Sequence, residues 1–381
     1  MNRPLRILTI GHSYSIGMNR ATMRCVAKDP AFEVTVVAPI SFKGDLRHVF
    51  IDPEPEDSTI RVVGVPVLDL GVRHLMRYDT SALQHLIRNE HFDIVHVWEE
   101  PYVYAGYQIS QMARTAGTRY CFWTFQNKAK HYPPPFNYFE RKSVSNCHSW
   151  IAGGQLVYQT MIKKRFPETT GRVIPLAVDT EQFRPLDEDE RHLVRDELGL
   201  DGTVIGYVGR LTESKGLDVM MQALSATKNR NWSLLVLGSG PYEAKLRSWA
   251  AEQKINLRII LAEHSEVPRL MGAMDLLLAP SQTRRNWKEQ FGRMLVEAFA
   301  SGVPVIASDS GEIPFVVGQA GKILPETDVD AWTQAIEQLL EDSALRMTMK
   351  ARGFQQVIPF MVDSVANEFQ DYYQWLTTLA A

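Results

Sequence analysis

Residues 292–309, GRMLVEAFASGVPVIASD, place a helix-length segment directly before a short β-branched strand. The first part repeats apolar residues at helical spacing, and the second is a run that suits a buried strand. The same alternation of short strands and amphipathic helical segments runs along the whole chain, which is typical of parallel sheets covered by helices on both faces. The sequence therefore predicts an α/β protein.

The alternation restarts near the middle of the chain. A stretch rich in proline and acidic residues, VIPLAVDTEQFRPLDEDE at 173–190, precedes the new strand TVIGYVG. We predict two Rossmann-like, doubly wound domains that face a central cleft, covering residues 1–180 and 181–359. A tail helix at about 360–381 carries Phe369, Tyr372, Tyr373 and Trp375, more aromatic residues than a solvent-facing helix would have, and we expect it to return to the first domain.

Composition narrows the function classes. The 381 residues are 45% hydrophobic and 22% charged, which is ordinary for a globular protein. No apolar run is long enough to span a bilayer, and the chain opens directly into a strand pattern without a cleavable signal, so we expect a cytoplasmic protein. The three cysteines form no CxxC pair and are interpreted as reduced thiols.

Charge is divided unevenly between the two halves. The net charge of −3 argues against a nucleic-acid partner. Residues 1–180 contain 21 basic and 16 acidic residues (net +5), whereas residues 181–381 contain 20 and 28 (net −8). The basic first half favours an anionic substrate or a peripheral contact with the inner face of a membrane, and a merely solvated face explains it equally well.

Doubly wound sheets bind ligands outside the carboxyl ends of their strands, and two common ligand motifs are missing there. Neither GxGxxG nor GxxxxGK[ST] occurs, which argues against a dinucleotide enzyme and a P-loop kinase. Acidic triplets at 187–189 and 328–330 fall in a linker and at a helix start, so no metal site is predicted. His96, inside an apolar strand, is interpreted as a core histidine.

The segment EQFGRMLVE at 289–297 suggests a ligand with several parts. Interpreted as the opening of a helix, it separates Glu289 from Glu297 by about 12 Å, too far to share one ion. Gly292 lets the backbone approach a ligand where helix amides can bind an anion. A nucleotide sugar fits, with its diphosphate at the helix end, its sugar at Glu289 and its ribose at Glu297. The alternative is that Glu289 is a first-turn acid and Glu297 the partner of a buried arginine.

A second segment supplies positive charge. In GYVGRLTESKGLD, at 206–218, Arg210 and Lys215 follow a strand and precede a helix. Two cations at the carboxyl end of a strand can neutralise a leaving diphosphate without a metal.

Together, VGRL…KG, VLGSGP, MDLLLAPS, the linker and residues 289–317 resemble the retaining glycosyltransferases of family 4, which have the GT-B architecture. The resemblance implies that Arg210 and Lys215 bind the donor diphosphate, Glu289 the transferred sugar and Glu297 the ribose. It implies no cofactor and no metal. The donor-binding residues expected from it are Gly17, Arg210, Lys215, Ala262, Glu263, His264, Glu289, Phe291, Gly292, Arg293, Met294, Leu295 and Glu297, with Arg210, Lys215 and Glu289 as the catalytic group.

The chain departs from the family pattern at one position. Many members carry a histidine where this sequence has Gln126, which can donate or accept a hydrogen bond but cannot take a proton. The implied retaining mechanism does not need that histidine, because the departing phosphate oxygen receives the acceptor proton. Glu100, in VHVWEEPY, is the second acceptor-side candidate; the alternative is a carboxylate that caps the next helix.

Together with these residues, the resemblance implies a metal-independent retaining glycosyltransferase. It would move a hexose, first expected to be glucose from UDP-glucose, to a hydroxyl of a glycan or lipid-linked saccharide, as in surface or exopolysaccharide biosynthesis. GDP-mannose and other UDP-hexoses stay open as donors. The alternatives are a GT-B epimerase acting on a UDP-sugar and a non-catalytic protein that binds sugar nucleotides.

Overall fold

A computed structural model describes residues 3–44, 48–69 and 71–379. The chain divides into two compact units: residues 1–177 with 362–381 form unit 1, and residues 178–361 form unit 2. The sequence placed these divisions at 180/181 and near 360, a few residues away. No helix in the described ranges is long and apolar enough to cross a membrane.

Unit 1 is built on a parallel sheet of seven strands in the order β11-β10-β9-β8-β1-β2-β5. Two small antiparallel pairs, β3 with β4 and β6 with β7, lie outside it. Its strands are β1 (Leu5–Ile10), β2 (Phe32–Pro39), β3 (Ser41–Lys43), β4 (His48–Phe50), β5 (Arg61–Val65), β6 (Val67–Leu68), β7 (Arg77–Tyr78), β8 (Ile94–Val97), β9 (Arg119–Thr124), β10 (Ser149–Ala152) and β11 (Gly171–Val173). Its first five helices are α1 (Ala21–Val26), α2 (Thr80–Asn89), α3 (Tyr104–Thr115), α4 (Phe136–Val144) and α5 (Gln155–Lys163).

Unit 2 contains a parallel sheet of six strands in the order β14-β13-β12-β15-β16-β17. Its strands are β12 (Thr203–Val208), β13 (Trp232–Leu237), β14 (Asn256–Ile260), β15 (Leu276–Ala279), β16 (Val305–Ser308) and β17 (Lys322–Leu324). Its helices are α6 (Glu188–Leu198), α7 (Leu217–Ala226), α8 (Glu243–Gln253), α9 (Val267–Gly272), α10 (Arg293–Ala300), α11 (Ile313–Val317), α12 (Val329–Glu341) and α13 (Ser343–Gln356).

Short 3-10 helices connect several of these elements. They span His12–Ser15, Gly17–Arg20, Arg73–Leu75, Glu168–Thr170, Glu213–Lys215 and Ile358–Phe360.

Both sheets follow the doubly wound rule. In each, the first strand of the unit lies in the middle, and the chain runs outward to one edge and then from the middle to the other. The direction of winding reverses between β1 and β8 in unit 1 and between β12 and β15 in unit 2. Ligands bind at such switch points, outside the carboxyl ends of the strands. The predicted α/β fold with two Rossmann-like domains is confirmed.

The acidic triplets predicted to hold no metal have structural roles at helix starts. Asp187 accepts a hydrogen bond from the amide of Glu190 in a capping box that begins α6, and Asp328 accepts from Ala331 at the start of α12. In the described ranges, no group of three or more His, Cys, Asp or Glu side chains is arranged to hold a metal ion.

The last helix, α14 (Val362–Thr378), belongs to unit 1. Phe369, Tyr372 and Tyr373 are buried in the unit 1 core, and the Tyr373 hydroxyl lies 2.7 Å from His96 Nδ1. Burial lowers the pKa of His96 to about 3, so the ring is neutral. The predictions of a returning aromatic tail and of a core histidine at position 96 are confirmed.

Candidate active site

Two loops of unit 2 meet at the switch point between β12 and β15. One loop follows β12 and ends in Lys215 and Gly216, and the other follows β15. The amide of Gln282 donates to the carbonyl of Ser214 at 2.8 Å, which joins the loops through their backbones. Gly216 has a φ of +68°, and a β-carbon there would lie 1.7 Å from the carbonyl oxygen of Pro280. Only glycine allows this close approach.

The approach brings Lys215 to Glu289. Lys215 Nζ donates to Glu289 Oε2 at 2.6 Å, and Ser281 Oγ donates to the same oxygen at 2.6 Å. The two charged side chains are only 12% and 9% exposed, and the Lys215 ammonium lies 4.9 Å from the centre of the Trp287 ring. A cation that can bind phosphate oxygens and a carboxylate that can accept sugar hydroxyls are therefore held side by side.

The loop after β16 fixes the backbone of Glu289. The amide of Glu312 donates to the Glu289 carbonyl at 3.1 Å. Gly311 has a φ of +60°, and a β-carbon there would lie 2.0 Å from that carbonyl oxygen. The SGE segment at 310–312 thus sets the position of the carboxylate, so three adjacent strands contribute to one site.

Glu289 does not begin a helix. Helix α10 starts at Arg293, and Gly292 before it is left-handed, with a φ of +83°. The interpretation of 289–297 as one continuous helix is wrong, because a left-handed residue cannot continue a right-handed helix. Glu289 lies in the loop and Glu297 lies within α10, so the helical rise does not measure their separation.

Four of the residues expected to bind the donor lie in the first turn of α10 or just before it. Phe291 and Leu295 are buried, and the Phe291 ring contacts Phe360 at 5.8 Å between centres. The amide of Leu295 donates to the carbonyl of Gly292 at 2.9 Å. Arg293 and Met294 are half-buried.

Glu297 is buried within α10. It is 8% exposed, and burial raises its pKa to about 7, while the charge of Arg293 one turn earlier opposes this rise. Burial also lowers the pKa of Arg293. The alternative that made Glu297 the partner of an arginine thus has a physical basis, and the ribose contact stays a prediction.

Arg210 lies on the same loop as Lys215, and its backbone is held from two sides. The buried Tyr207 hydroxyl donates to the Arg210 carbonyl at 2.8 Å, and the amide of Leu211 donates to the Ser239 carbonyl at 2.8 Å. The VGRL and GSG turns therefore pack backbone to backbone at the ends of β12 and β13. The expected contact of the Arg210 side chain with the donor diphosphate stays a prediction.

The loop Ala262–His264, which is expected to bind the donor, follows the edge strand β14. Glu263 and His264 are exposed and Ala262 is half-buried. Strand β13 separates β14 from β12 in the sheet. This assignment also stays a prediction.

Gly17 lies in unit 1, in the 3-10 helix Gly17–Arg20. Its amide donates to Asp52 Oδ2 at 2.7 Å, and its carbonyl accepts from Arg24. The amide thus bonds to a carboxylate in this structure, and the expected contact of Gly17 with the donor stays a prediction.

Glu100 binds the end of strand β9. Its carboxylate accepts from the Thr124 hydroxyl at 2.5 Å and from the amide of Phe125 at 2.8 Å. Burial raises its pKa, although these hydrogen bonds oppose the rise. The carboxylate is engaged with Thr124 and Phe125 and, within the described ranges, bonds to no amide of α3, so the helix-capping alternative is wrong.

Gln126 is buried beside Glu100 and is already bonded. Its side-chain oxygen accepts from Lys164 Nζ at 2.8 Å and from the Tyr132 hydroxyl at 3.2 Å. Lys164 also bonds to Glu140. Both acceptor-side candidates therefore belong to one polar cluster after β9, and their contact with an acceptor stays a prediction.

The sequence did not identify a carboxylate–imidazole pair at the switch point of unit 1. Glu99 follows β8, is 4% exposed, and accepts from the amide of His12 at 2.7 Å, from His12 Nδ1 at 2.9 Å and from the Tyr78 hydroxyl at 3.0 Å. His12 follows β1, the neighbouring strand. The signal was available, because His12 and Glu99 both come directly after buried strands.

Comparison with known proteins covers both halves of the chain. Residues 26–182 match the family described as Glycosyltransferase Family 4, and residues 190–356 match Glycosyl transferases group 1.

Two curated relatives are mannosyltransferases. The chain is 36% identical over 192 residues to the GDP-mannose-dependent alpha-(1-6)-phosphatidylinositol monomannoside mannosyltransferase of Mycolicibacterium smegmatis, covering 47% of this chain and 50% of the relative. It is 32% identical over 188 residues to a GDP-mannose-dependent monoacylated alpha-(1-6)-phosphatidylinositol monomannoside mannosyltransferase of Corynebacterium glutamicum, covering 47% and 49%. The chain thus spans about half the length of the curated relatives it matches.

The fold has solved counterparts. A glycosyltransferase from Rickettsia africae superposes with a TM-score of 0.78 at 17% identity, over 100% of both chains. At that identity the likeness concerns the fold alone. Taken with the two family matches, which follow one another along the sequence, it agrees with the two doubly wound units. The chain belongs to the glycosyltransferases of family 4.

Proposed function

We propose that the protein is a retaining glycosyltransferase that moves a hexose from a nucleotide diphosphate sugar to a hydroxyl of a glycan or lipid-linked saccharide. The observation that carries this proposal is the enclosed Lys215–Glu289 pair at the switch point of unit 2. Lys215 would bind the diphosphate and Glu289 the hydroxyls of the transferred sugar. When the donor binds, contacts with it must replace part of the hydrogen bonding between Lys215 and Glu289.

The reaction needs charge neutralisation at the leaving diphosphate. Lys215, Arg210 and the amides at the start of α10 are expected to supply it in place of a metal ion. In a retaining transfer, the bond from the anomeric carbon to the phosphate oxygen breaks, the acceptor oxygen bonds that carbon on the same face, and the acceptor proton passes to the departing phosphate. No protein base is required, which is compatible with a glutamine at position 126.

The names of the curated relatives bear on which donor should be assayed first. UDP-glucose was the first expectation, whereas the names of two curated relatives specify GDP-mannose and phosphatidylinositol mannosides. These names support GDP-mannose as the first donor to assay and a glycolipid as the first acceptor. The basic first half of the chain is compatible with an acceptor at an anionic membrane surface.

The test is a panel of donors and acceptors. GDP-mannose, UDP-glucose, UDP-galactose and UDP-N-acetylglucosamine are each incubated with octyl α-mannoside, octyl β-glucoside or phosphatidylinositol, with and without EDTA. We expect one donor to give a glycoside of retained configuration by NMR, at a rate that EDTA leaves nearly unchanged.

Other outcomes contradict the proposal in distinct ways. Release of UDP from a UDP-amino sugar without formation of any glycoside indicates an epimerase. Tight nucleotide binding without turnover indicates a binding protein. Loss of transfer in EDTA that Mn²⁺ restores contradicts the metal-independent account, and inverted products contradict the retaining one.

A further inference from the structure

The His12–Glu99 pair has a geometry that the proposed function has not used. Unit 1 places it at the carboxyl ends of β1 and β8, between which the winding of the sheet reverses. The amide of Trp98 donates to the Ile10 carbonyl at 2.8 Å, and a β-carbon on Gly11 would lie 2.7 Å from the Trp98 carbonyl oxygen. The two strand ends are therefore held together by backbone contacts, and the pair occupies the place where such sheets bind ligands.

The buried carboxylate fixes the orientation of the imidazole. Glu99 Oε1 accepts from the His12 amide and from Tyr78, and Oε2 accepts from His12 Nδ1. In the neutral ring, a carboxylate at Nδ1 favours the tautomer with the proton on that nitrogen, and Nε2 then carries the lone pair. The ring packs edge-on against Phe42, with 5.5 Å between the centres.

The other ring nitrogen is open to a ligand. The His12 side chain is 23% exposed, and within the described ranges Nε2 has no hydrogen-bond partner, whereas Nδ1 does. A lone pair held in a fixed direction, at the place where doubly wound sheets bind ligands, suits a hydroxyl donor. A polyhydroxylated acceptor offers that group.

We propose that His12, positioned by Glu99, accepts a hydrogen bond from a hydroxyl of the sugar or polyol acceptor. This inference rests on the proposed function and assigns the acceptor contact to a residue other than Glu100 and Gln126. Glu100 is engaged with the end of β9, and Gln126 is buried with its oxygen bonded to Lys164, whereas the His12 side chain is 23% exposed and presents a nitrogen that no described residue occupies. His12 orients the acceptor and takes no proton.

The rival explanation is structural, since the pair also anchors the 3-10 helix His12–Ser15 to β8. The variant His12→Asn distinguishes acceptor binding from this structural role. An asparagine amide can replace Nδ1 and keep the bond to Glu99, but it has nothing at the position of Nε2. Glu99→Gln is the second variant, because an amide nitrogen at Oε2 donates to Nδ1 and moves the ring proton to Nε2, which then cannot accept.

His148 supplies a matched control in the same sheet. It lies just before β10, at the amino ends of the strands, whereas His12 lies at their carboxyl ends. Its Nδ1 accepts a hydrogen bond from the amide of Tyr120 at 3.3 Å. Like His12 it is half-buried and bonded through Nδ1. His148→Asn should leave transfer unchanged.

The experiment uses the full chain and the donor and acceptor that support transfer in the panel above. It measures acceptor kcat/KM and, without acceptor, hydrolysis of the same donor by water. For His12→Asn and Glu99→Gln, we expect acceptor kcat/KM to fall by roughly tenfold or more, with donor hydrolysis and donor KM within about twofold of wild type. ¹⁵N NMR should show the proton of His12 on Nδ1 in the wild type and on Nε2 in Glu99→Gln.

Three outcomes overturn the inference. Transfer by His12→Asn at the wild-type rate removes His12 from acceptor binding. A parallel fall in donor hydrolysis assigns the residue to the donor or to folding. An unchanged ring tautomer in Glu99→Gln removes the positioning role. A wild type that transfers to no acceptor contradicts the proposed function itself, which separates that failure from the other three.

Discussion

At the scale of single residues, the pairing of Lys215 with Glu289 changes how the site is understood. The sequence assigned them to different parts of the donor, the diphosphate and the sugar. The structure joins them by a hydrogen bond of 2.6 Å within a region that excludes most water. The two assignments are compatible. The sugar and the diphosphate are joined by the bond that breaks during transfer, and one Lys215–Glu289 pair can contact the donor on both sides of that bond.

Lys215→Ala tests the cationic half of the pair. Loss of a charge-assisted contact to the diphosphate should lower kcat/KM by an amount equivalent to about 2–4 kcal/mol. The thermal midpoint should also fall, because Glu289 loses a charged partner in a buried setting. Lys215→Ala combined with Glu289→Gln should recover part of the stability without recovering activity.

Lys245→Ala is the matched control in the same unit. Its ammonium is exposed and pairs with Asp218 on the surface, so activity and stability should stay close to wild type. Turnover of Lys215→Ala within a few-fold of wild type would remove Lys215 from the diphosphate site.

Glu297 predicts a pH dependence of stability. Its pKa in the folded protein is about 7, above the ordinary 4.5, so the folded state binds the proton more tightly than the unfolded state. The free energy of unfolding should therefore fall as pH rises from about 4.5 to about 7, by up to roughly 3 kcal/mol. Glu297→Gln, which cannot titrate, should lack this decline.

Urea unfolding at pH 5 and pH 7.5 measures the difference. Glu341→Gln, at the exposed end of α12, is the control and should keep the wild-type profile. If wild type and Glu297→Gln lose stability in parallel over this range, the raised pKa of Glu297 is contradicted.

At the scale of loops and helices, glycines determine which side chains meet. Gly216 allows the loop after β12 to touch the loop after β15, and Gly292 ends that second loop before α10 begins. The sequence showed both glycines and the helix that follows each. It did not show that Gly292 would be left-handed, because glycine is compatible with either hand and the choice depends on tertiary contacts.

Gly216→Ala should separate the two loops. A β-carbon 1.7 Å from the Pro280 carbonyl cannot be accommodated, so Lys215 should move away from Glu289 and kcat should fall at least tenfold, with a lower thermal midpoint. Gly117→Ala is the matched control. It has a similar φ of +70° with nothing within 4 Å of the added carbon, so it should lose about 1–2 kcal/mol of stability and no activity. Full activity in Gly216→Ala would show that the close approach is dispensable.

The polar cluster after β9 shows where sequence reasoning stops at this scale. Glu100 and Gln126 were selected through the resemblance to family 4, and the structure places them together. Their bonds to Thr124, Phe125 and Lys164 depend on how β8, β9 and α5 pack, which no local pattern encodes. His12 was missed for the same reason, since its partner Glu99 is far away in the sequence and adjacent only through the pairing of β1 with β8.

At the scale of the whole molecule, the two-unit organisation was predictable because strand and helix periodicity repeats twice. The tail was predictable from its aromatic residues, which need a core to cover them. The boundary lies at 177/178 and not at 180/181 because Val178 already pairs with the end of unit 2, where its amide donates to the Phe360 carbonyl at 2.8 Å. Donor and acceptor identity were not predictable, since recognition of a base and a hexose depends on a few contacts that no motif in the sequence encodes.

The central claim is that Glu289 and Glu297 contact opposite ends of one donor, and calorimetric titration of GDP and UDP tests it most directly. The titrations are done at pH 8, where Glu297 is mostly ionised, into wild type, Glu289→Gln and Glu297→Gln. The nucleotides lack the sugar, and a glutamine amide at 289 keeps an oxygen for Lys215. The preferred nucleotide should therefore bind Glu289→Gln almost normally and bind Glu297→Gln roughly tenfold more weakly. Equal weakening of both variants, or the reverse order, would contradict the account.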